Sequence, residues 1–352
     1  MRIKLAILDQ DANYLTRITN VFTSKFSDKL EIYSFSDLDV AISKLEDAKI
    51  NVFIASDNFE MDETLLPRHC GFAYFVDSAG IETYKKYPAI CKYQKVESIY
   101  KTILEIFSDN VSESIGLKWI SDSSARVITF ASASGGVGCS TAAAACAKSL
   151  ALAGRKTLYI NLEQFGCVDR FFTGEGQANF DDVIYALKSQ QARLSLKLES
   201  CVKQDVSGVC FYSSPKSALD VADLKASEMS RLMADLKLTG CYENIVIDVN
   251  FSLCELNLEV LGYSDAIIFV LDGADASLIK FTRAYHALEI LERQGDITWL
   301  PRVSVFYNKF NNKTGKTLKE GIPSIGGAPP YEQATAEQVI EQLVGLGIFQ
   351  QM

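Results

Sequence analysis

The chain has 352 residues, of which 48% are apolar and 22% are charged, and its net charge is −9. This length exceeds one ordinary core and predicts two domains, while the apolar content excludes a chain that is disordered throughout. The acidic balance, without a basic block, argues against nucleic acid as a partner. Nine cysteines without C-x-x-C spacing predict reduced thiols, and only two histidines argue against a histidine-rich metal centre.

The first hundred residues alternate between short apolar runs and amphipathic stretches. We predict strands at 3–8, 31–35, 51–56, 71–77 and 87–93, and helices at 13–26, 38–48 and 95–107. This alternation indicates a parallel sheet wound on both faces, which defines a first domain at 1–107. The serine-rich stretch 108–125 is interpreted as a linker, with Trp119 and Ile120 as anchors onto one of the two domains.

A second pattern of alternating strands and helices begins at Arg126 and predicts a second domain at 126–352. Strands are predicted at 126–132, 155–163, 208–214, 243–250, 265–272 and 302–310, and helices at 140–154, 179–189, 222–238, 277–294 and 334–349. The predicted fold class is therefore α/β, with two doubly wound domains and mostly parallel sheets. The last helix carries Glu337 and Glu341 but no Lys or Arg, so we expect a packed helix and no direct membrane insertion.

The segment 134–141, SGGVGCST, stands directly after a predicted strand and before a predicted helix. Glycines allow backbone N–H groups to face a bound anion, and the helix N-terminus adds a favourable dipole. This context predicts a phosphate-binding loop, with an ordinary glycine turn as the alternative. The predicted cofactor-binding residues of the loop are Gly135, Gly136, Val137, Gly138, Cys139, Ser140 and Thr141. Among these, the Ser140 hydroxyl is the candidate Mg²⁺ ligand.

The loop departs from the pattern G-x-x-x-x-G-K-[ST], because Cys139 occupies the lysine position. The loss of that cation removes a charge contact to the β- and γ-phosphates, whereas the backbone amides remain. We therefore expect weakened nucleotide binding and a larger loss of hydrolysis. A reactive thiol at the helix N-terminus is the alternative role for this cysteine.

The loop resembles the deviant Walker A loop of the MinD/ParA class, which has the pattern K-G-G-x-G-K-T. Both lysine positions of that pattern differ here, since Ser134 and Cys139 occupy them. This double replacement is similar to the TadZ/CpaE branch, whose loops often read G-G-V-G-x-S-T and whose members carry an N-terminal response-regulator-like domain. The resemblance covers essentially the whole chain. It implies a CheY/flavodoxin-like receiver followed by a P-loop ATPase domain.

The resemblance also implies a function. Members of the branch are ATP-binding localisation and assembly factors for tight-adherence (Flp/Tad-type) pilus secretion systems. The implied cofactors are ATP and Mg²⁺, and the implied partners are a second copy of the chain and pilus or secretion assembly proteins. Weak ATPase activity at most is expected. The implied location is the cytoplasm, at the cell pole or at a membrane secretion complex through those partners.

Acidic and amide residues at further strand ends match the same family. Asp248 ends the strand ENIVIDVN, which resembles the Walker B strand, so the resemblance implies catalytic and Mg²⁺-binding roles for it. Glu163 and Asn161 match the two aspartates of the V-D-x-D switch strand, and the implied catalytic role falls on Glu163. A buried strand that merely ends in aspartate remains the alternative for Asp248.

The same resemblance implies which residues contact the adenine base, and a separate hypothesis concerns the positive charge that the loop lacks. Asn308 corresponds to the asparagine that hydrogen-bonds the adenine edge, and Pro329, Pro330 and Tyr331 would form one wall of the pocket. An ordinary surface loop is the alternative for this wall. We further hypothesise that Lys280 supplies charge to the phosphates, in the same subunit or across a dimer. Unchanged nucleotide affinity in Lys280→Ala would discard that hypothesis.

The start of the chain, IKLAILDQDANYL, is similar to the first strand of a response-regulator receiver. Receivers carry an acidic pair after this strand, but here Gln10 separates Asp9 from Asp11. The position of the phosphoacceptor aspartate is occupied by Ser56, and Asp57 lies one residue later. Because side chains alternate between the faces of a strand, Asp57 need not replace the acceptor.

The last predicted strand of the first domain keeps Lys92 where receivers have their lysine, whereas Tyr93 replaces the usual proline. We hypothesise an atypical receiver that binds partners and does not accept phosphate. Three rival functions remain: a scaffold that needs no nucleotide, an atypical response-regulator-like signalling protein, and a DNA-partitioning ATPase, which the net charge disfavours.

Overall fold

The computed structural model describes residues 2–67, 69–110, 125–189, 194–295, 297–318 and 321–352. The predicted linker at 108–125, with Trp119 and Ile120, lies mostly outside these residues. The described chain divides into two compact units, and residues 194–200 group with the first unit although they follow the beginning of the second in sequence.

The first unit contains a parallel sheet with helices on both faces. Its strands are β1 (Ile3–Leu8), β2 (Leu30–Phe35), β3 (Val52–Ser56), β4 (Gly71–Val76), β5 (Thr83–Tyr84) and β6 (Tyr87–Cys91), and its helices α1 (Ala12–Lys25), α2 (Leu38–Asp47) and α3 (Val96–Asn110). The strand order is β2-β1-β3-β4-β6-β5, and among the described strands of this sheet only β5 and β6 pair antiparallel. Aspartate residues are the N-caps of two helices. The side chain of Asp11 accepts hydrogen bonds from backbone N–H groups of α1, and that of Asp37 accepts one from α2.

Alternate residues of each strand build two cores. Ile7 and Ile54 pack with α1 and α3, whereas Leu8 and Phe53 pack with α2. In the described residues, the connections after β3 and β4 contain no α-helix. Aromatic rings cover that part of the sheet instead, and the ring contacts join Phe53, Phe72, Tyr74, Tyr84 and Tyr87.

A short helix, α6 (Leu194–Cys201), completes the first unit. Leu196 is buried in the core formed by α1 and α3. Lys197 Nζ lies 2.8 Å from Glu105 Oε1, and Glu199 pairs with Lys29. This helix was not predicted from the sequence.

The second unit contains an eight-stranded, mostly parallel sheet. Its strands are β7 (Arg126–Ser132), β8 (Thr157–Asn161), β9 (Lys203–Gln204), β10 (Cys210–Phe211), β11 (Asn244–Asn250), β12 (Ala266–Leu271), β13 (Val303–Tyr307) and β14 (Ser324–Gly327). The order is β14-β13-β12-β7-β11-β8-β10-β9, with an antiparallel β9–β10 pair at one edge. The helices are α4 (Cys139–Leu152), α5 (Phe180–Lys188), α7 (Ala218–Ala222), α8 (Ala226–Thr239), α9 (Glu255–Tyr263), α10 (Asp275–Gln294) and α11 (Ala336–Gly345).

Helices cover both faces of this second sheet. Residues 142–147 of α4 are fully buried, since small alanine side chains let the helix approach the strands closely. Ile268 of β12 joins the core under α4 and α11, whereas its neighbour Phe269 contacts Phe281 of α10 on the opposite face. The predicted fold class, α/β with two mostly parallel sheets, is confirmed.

Candidate functional site

The carboxyl ends of β7, β8, β11 and β13 lie along one edge of the second sheet, because these strands are parallel. β11 lies between β7 and β8, so the chain crosses over it when it passes from β7 to β8. Loops at such a crossover leave a crevice at the ends of the strands. The glycine loop follows β7 and the other predicted site residues follow or end the neighbouring strands.

The glycine loop adopts a conformation that requires glycine. Gly136 and Gly138 have positive φ angles of 79° and 84°, which is the left-handed region. A Cβ at Gly138 would overlap Nδ2 of Asn308, whereas a Cβ at Gly135 would meet nothing within 4 Å. Val137 is 2% exposed and points into the core, which anchors the middle of the loop. The loop therefore leads directly into the N-terminus of α4, as a phosphate-binding loop requires.

The two residues at the lysine positions face the protein. The Oγ atom of Ser134 is buried and has no hydrogen-bond partner in the described part of the chain. Burial, together with the carboxylates of Asp248 and Glu163, raises the pKa of the Cys139 thiol well above its usual value. The thiol is therefore held in its neutral form, which disfavours the alternative role as a reactive thiolate.

Two carboxylates and one hydroxyl meet beside the start of α4. Ser140 Oγ lies 3.1 Å from Glu163 Oε2. Asp248 is fully buried, and its Oδ2 accepts hydrogen bonds from Tyr159 Oη at 3.0 Å and from Asn161 Nδ2 at 2.8 Å. Burial, followed by repulsion from Glu163, raises the pKa of Asp248 to about 7.

These residues fit a magnesium ion. The second carboxylate oxygen of Asp248, Oδ1, is buried without a hydrogen-bond partner among the described residues. Hydroxyl and carboxylate oxygens are the ligands that Mg²⁺ prefers, and it usually keeps several water molecules. Ser140 and Asp248, with Glu163 beside them, would hold the ion, and a dication would relieve the repulsion between the two carboxylates.

Asn161 makes hydrogen bonds within the site that the sequence did not reveal. Its Nδ2 donates to Asp248, and its Oδ1 accepts from the backbone N–H of Glu163 at 2.9 Å. A Cβ at Gly166 would overlap this Oδ1, so the glycine makes room for the amide. Asn161 thus orients the carboxylate of Asp248, holds the backbone of Glu163, and cannot itself act as a base.

Asn308 and Lys309, directly after β13, reach across the loop. Asn308 Nδ2 donates to the backbone oxygen of Val137 at 2.8 Å, and its Oδ1 is buried without a partner among the described residues. An unpaired amide oxygen is suited to accept from an exocyclic amino group of a base. Lys309 Nζ donates to the backbone oxygen of Gly136 at 2.8 Å. Sequence reasoning missed Lys309, although the pair N-K at a strand end was the available signal.

A cavity of about 370 Å³ lies beside the end of β13. It is lined by Tyr307, Phe310, Asn312, Thr317, Gly327, Ala328 and Pro329. Of the predicted wall residues, Pro329 lines this cavity, Pro330 is exposed, and Tyr331 packs against the core under α4. Thr141 lies in the first turn of α4, and its contact with a phosphate stays a prediction.

Lys280, the hypothesised source of charge, is exposed on α10. In the described part of the chain, no hydrogen bond or ion pair joins its ammonium group to the glycine loop. Its hypothesised role across a dimer stays a prediction.

The first unit contains a buried ion pair where receivers hold a phosphorylation site. Lys92 Nζ lies 2.9 Å from Asp9 Oδ2 and 3.6 Å from Asp77 Oδ1, and it donates to Ser56 Oγ at 3.3 Å. Asp9 is 1% exposed and Lys92 is 8% exposed. Burial lowers the pKa of Lys92, but the hydrogen bond and charge of Asp9 outweigh it and raise the pKa above its usual value.

The other predicted receiver positions have separate partners. Asp11 caps α1 and accepts from the backbone N–H groups of Asn13 and Tyr14. Asp57 is half-buried, and the hydroxyl of Ser56 lies 3.4 Å from its Oδ1. The acidic group that would hold a metal ion in a receiver is therefore divided between a lysine partner and a helix cap.

Comparison with protein families bears on the first unit. A family model described as TadZ-like, receiver domain, matches residues 1–108. This part of the chain is similar to TadZ-like receiver domains, and the predicted TadZ/CpaE resemblance is confirmed for it. The ion pair between Lys92 and Asp9 lies within the matched residues.

Solved structures with a similar chain trace are ParA- and MinD-type proteins. A ParA family ATPase from Chlorobium tepidum TLS is 19% identical over 65% of this chain and 95% of that protein, with a TM-score of 0.49. A putative plasmid partition protein from Borrelia burgdorferi B31 bound to AMPPNP is 20% identical over 64% and 99%, with a TM-score of 0.45. The septum site-determining protein MinD complexed with Mg-ADP from Pyrococcus horikoshii OT3 is 16% identical over 63% and 96%, with a TM-score of 0.45. At such values similarity assigns no activity to this chain.

No curated protein matches the sequence. Among the described residues, no helix combines the length and the apolar character needed to cross a membrane.

Proposed function

We propose that this protein is an ATP-binding localisation and assembly factor for a tight-adherence pilus secretion system. In this proposal, Mg²⁺ and ATP bind at the glycine loop of the second domain and stabilise a dimer. The TadZ-like receiver domain at 1–108 supports the pilus role, because it is the family-specific part of the chain.

The glycine loop carries the nucleotide part of the proposal. It keeps two left-handed glycines and a helix N-terminus although neither lysine position holds a lysine. Backbone amides bind phosphate oxygens without any side-chain charge, so the loop retains the part of the site that does not depend on lysine. The unpaired Oδ1 of Asn308 supports adenine as the base.

Hydrolysis is slow or absent in this proposal. Stabilisation of charge on the transferred phosphoryl group is the main contribution of such sites, and both signature lysines are missing. Asn161 is neutral and bound to Asp248, so it does not take a proton from water. Glu163 is the remaining carboxylate that could order water beside the ion.

Dimerisation is supported by apolar side chains near the site. Phe165 is 87% exposed and follows Glu163 closely, and Leu253 is 50% exposed after β11. A second subunit placed over these loops would bury both side chains and close the site. Nucleotide would shift the monomer–dimer equilibrium only by its greater affinity for the dimer.

Light scattering on the full chain tests the dimer directly. We expect the mass to rise from monomer to dimer with Mg-ATP and to fall again with Mg-ADP. The matched variant Phe165→Ser should bind nucleotide but stay monomeric. A mass that is the same under all conditions, with nucleotide bound, would remove the switch from the proposal.

An interaction scaffold that needs no nucleotide is the second candidate. The loss of both loop lysines favours it, since that charge otherwise binds the β- and γ-phosphates. Fluorescent fusions separate the two candidates in cells that assemble the pilus. A nucleotide-dependent factor should leave the pilus site when Gly138→Ala blocks the loop, whereas a scaffold should stay there.

A further inference from the structure

The phosphate site lacks the cations that usually balance a triphosphate. Ser134 and Cys139 occupy the two lysine positions, while Glu163 and Asp248 add negative charge at the end of the loop. One Mg²⁺ ion does not neutralise both carboxylates and the phosphates. A further positive group near the loop is therefore needed for tight binding.

Lys309 is the cation that the described structure places on this loop. Its Nζ donates to the backbone oxygen of Gly136 at 2.8 Å, and its Cε would lie 3.7 Å from a Cβ at Gly138. No hydrogen bond joins any other Lys or Arg side chain to residues 133–141 in the described part of the chain. The side chain of Lys309 thus runs along the glycine loop from Gly138 towards Gly136.

The backbone holds Lys309 in this place. Its φ is +56°, a left-handed conformation that costs a residue with a side chain some free energy. The flanking residues are fixed, since Asn308 N–H donates to the oxygen of Leu271 and Phe310 N–H donates to the oxygen of Ala328. The turn therefore directs the lysine towards the loop instead of along the strand.

We propose that Lys309 supplies the positive charge for phosphates bound in the glycine loop, in place of both missing lysines. The inference rests on the proposed nucleotide binding. An ammonium group has three N–H donors, and Gly136 uses one of them. The side chain is exposed, so the other donors are open to phosphate oxygens. The charge acts on the phosphates, and Asn308 acts on the base.

Competition against a fluorescent ATP analogue tests this role on the full chain. Lys309→Gln keeps a donor but removes the charge, Lys309→Met removes both, and Lys309→Arg keeps the charge. We expect Lys309→Gln and Lys309→Met to lower the affinity for ATP and ADP about tenfold, or about 1.4 kcal/mol. Lys309→Arg should change these affinities less than about threefold. Adenosine has no phosphate, so its affinity for the variants should equal its affinity for the wild type. Lys44→Ala is the matched control, because that lysine is exposed on α2 of the first unit and its ion pair is with Asp47 of the same helix.

The outcomes separate this inference from the proposed function. Wild-type protein that shows no nucleotide binding contradicts the proposed function and the inference with it. Binding by wild type with unchanged ATP affinity in Lys309→Gln and Lys309→Met overturns the inference alone. An equal loss for adenosine and ATP also overturns it, because a positional role would affect both ligands. Melting curves without ligand identify a variant that loses its fold, and the remaining variants then decide.

Discussion

Asp248 illustrates how one buried residue links the magnesium site to stability. The pKa of Asp248 is raised to about 7 by burial and by Glu163, whereas an aspartate in an unfolded chain titrates near its usual value. Between about pH 4 and pH 7 the folded protein keeps a proton that the unfolded chain releases, so stability falls as pH rises through this window. A bound dication would replace that proton.

Asp248→Asn should therefore stabilise the ligand-free protein at pH 8. An amide oxygen can still accept from Tyr159 and Asn161, while the buried charge is gone. We expect a gain of about 1–3 kcal/mol at pH 8 that disappears below about pH 5, measured by urea unfolding. The variant should lose the dependence of ATP affinity on Mg²⁺. A variant that is less stable than wild type at pH 8 would contradict this description of the site.

The two outer glycines of the loop offer a matched pair of substitutions. Gly138→Ala places a Cβ against Asn308 at a φ of +84°, so we expect it to lower stability by about 1–3 kcal/mol and to abolish nucleotide binding. Gly135→Ala meets open space and should change neither property by much. Thermal unfolding and ATP titration of both variants provide the test. Equal behaviour of the pair would show that the loop conformation is not needed.

At this scale the sequence predicted residue positions better than residue partners. The glycine-rich turn after a strand predicted the helix in whose first turn Ser140 lies, and the apolar run 243–250 predicted the strand that contains Asp248. Their roles at the site stay predictions. The sequence did not predict where the side chain of Lys309 points, because its direction depends on a left-handed backbone conformation that a lysine does not indicate. The role of Asn161 was also hidden, since the carboxylate that it binds, that of Asp248, lies on another strand.

Among the elements, α6 shows how tertiary contacts decide secondary structure. Leu194, Leu196 and Leu198 alternate with polar residues, which is the pattern of a strand, yet the segment is helical. All three leucines are buried, and Leu196 packs in the core of the first unit. The regular strands and longer helices were predicted because their apolar periods are long enough to be unambiguous. A helix of eight residues provides little such signal.

Leu196→Ala tests whether α6 belongs to the first unit. A buried leucine that is truncated to alanine leaves a cavity, so we expect a loss of about 2–4 kcal/mol in the unfolding of that unit. The matched control is Leu219→Ala, since Leu219 is 77% exposed and should change stability by less than about 0.5 kcal/mol. Hydrogen exchange of α1 and α3 reports the unit concerned. Unchanged protection there would contradict the assignment.

The receiver elements predict a domain that does not accept phosphate. Lys92 already pairs with Asp9, and Ser56 stands at the end of β3. Incubation with acetyl phosphate and Mg²⁺ should therefore leave the mass of the full chain unchanged. A response regulator with an intact acidic pair, treated in parallel, provides the positive control. A stable phosphoryl group on Asp57 would overturn the prediction.

On the scale of the whole molecule, the order of parts was readable from the sequence. Two α/β patterns separated by a serine-rich stretch predicted two domains, and the first matches the TadZ-like receiver family. The return of residues 194–200 to the first unit was not predictable, because it depends on contacts distant in sequence. The site of the second domain forms where distant segments meet, so its charge balance also emerges only in the folded chain.

In the proposed function, a glycine loop without its lysines still binds a nucleotide. Isothermal titration of the full chain with ATP in the presence of Mg²⁺ measures this most directly. We predict saturable binding of one ATP per chain with a dissociation constant below about 1 mM, weakened when EDTA removes Mg²⁺. Folded protein that releases no binding heat with millimolar ATP, and that does not displace a fluorescent analogue, would contradict the claim.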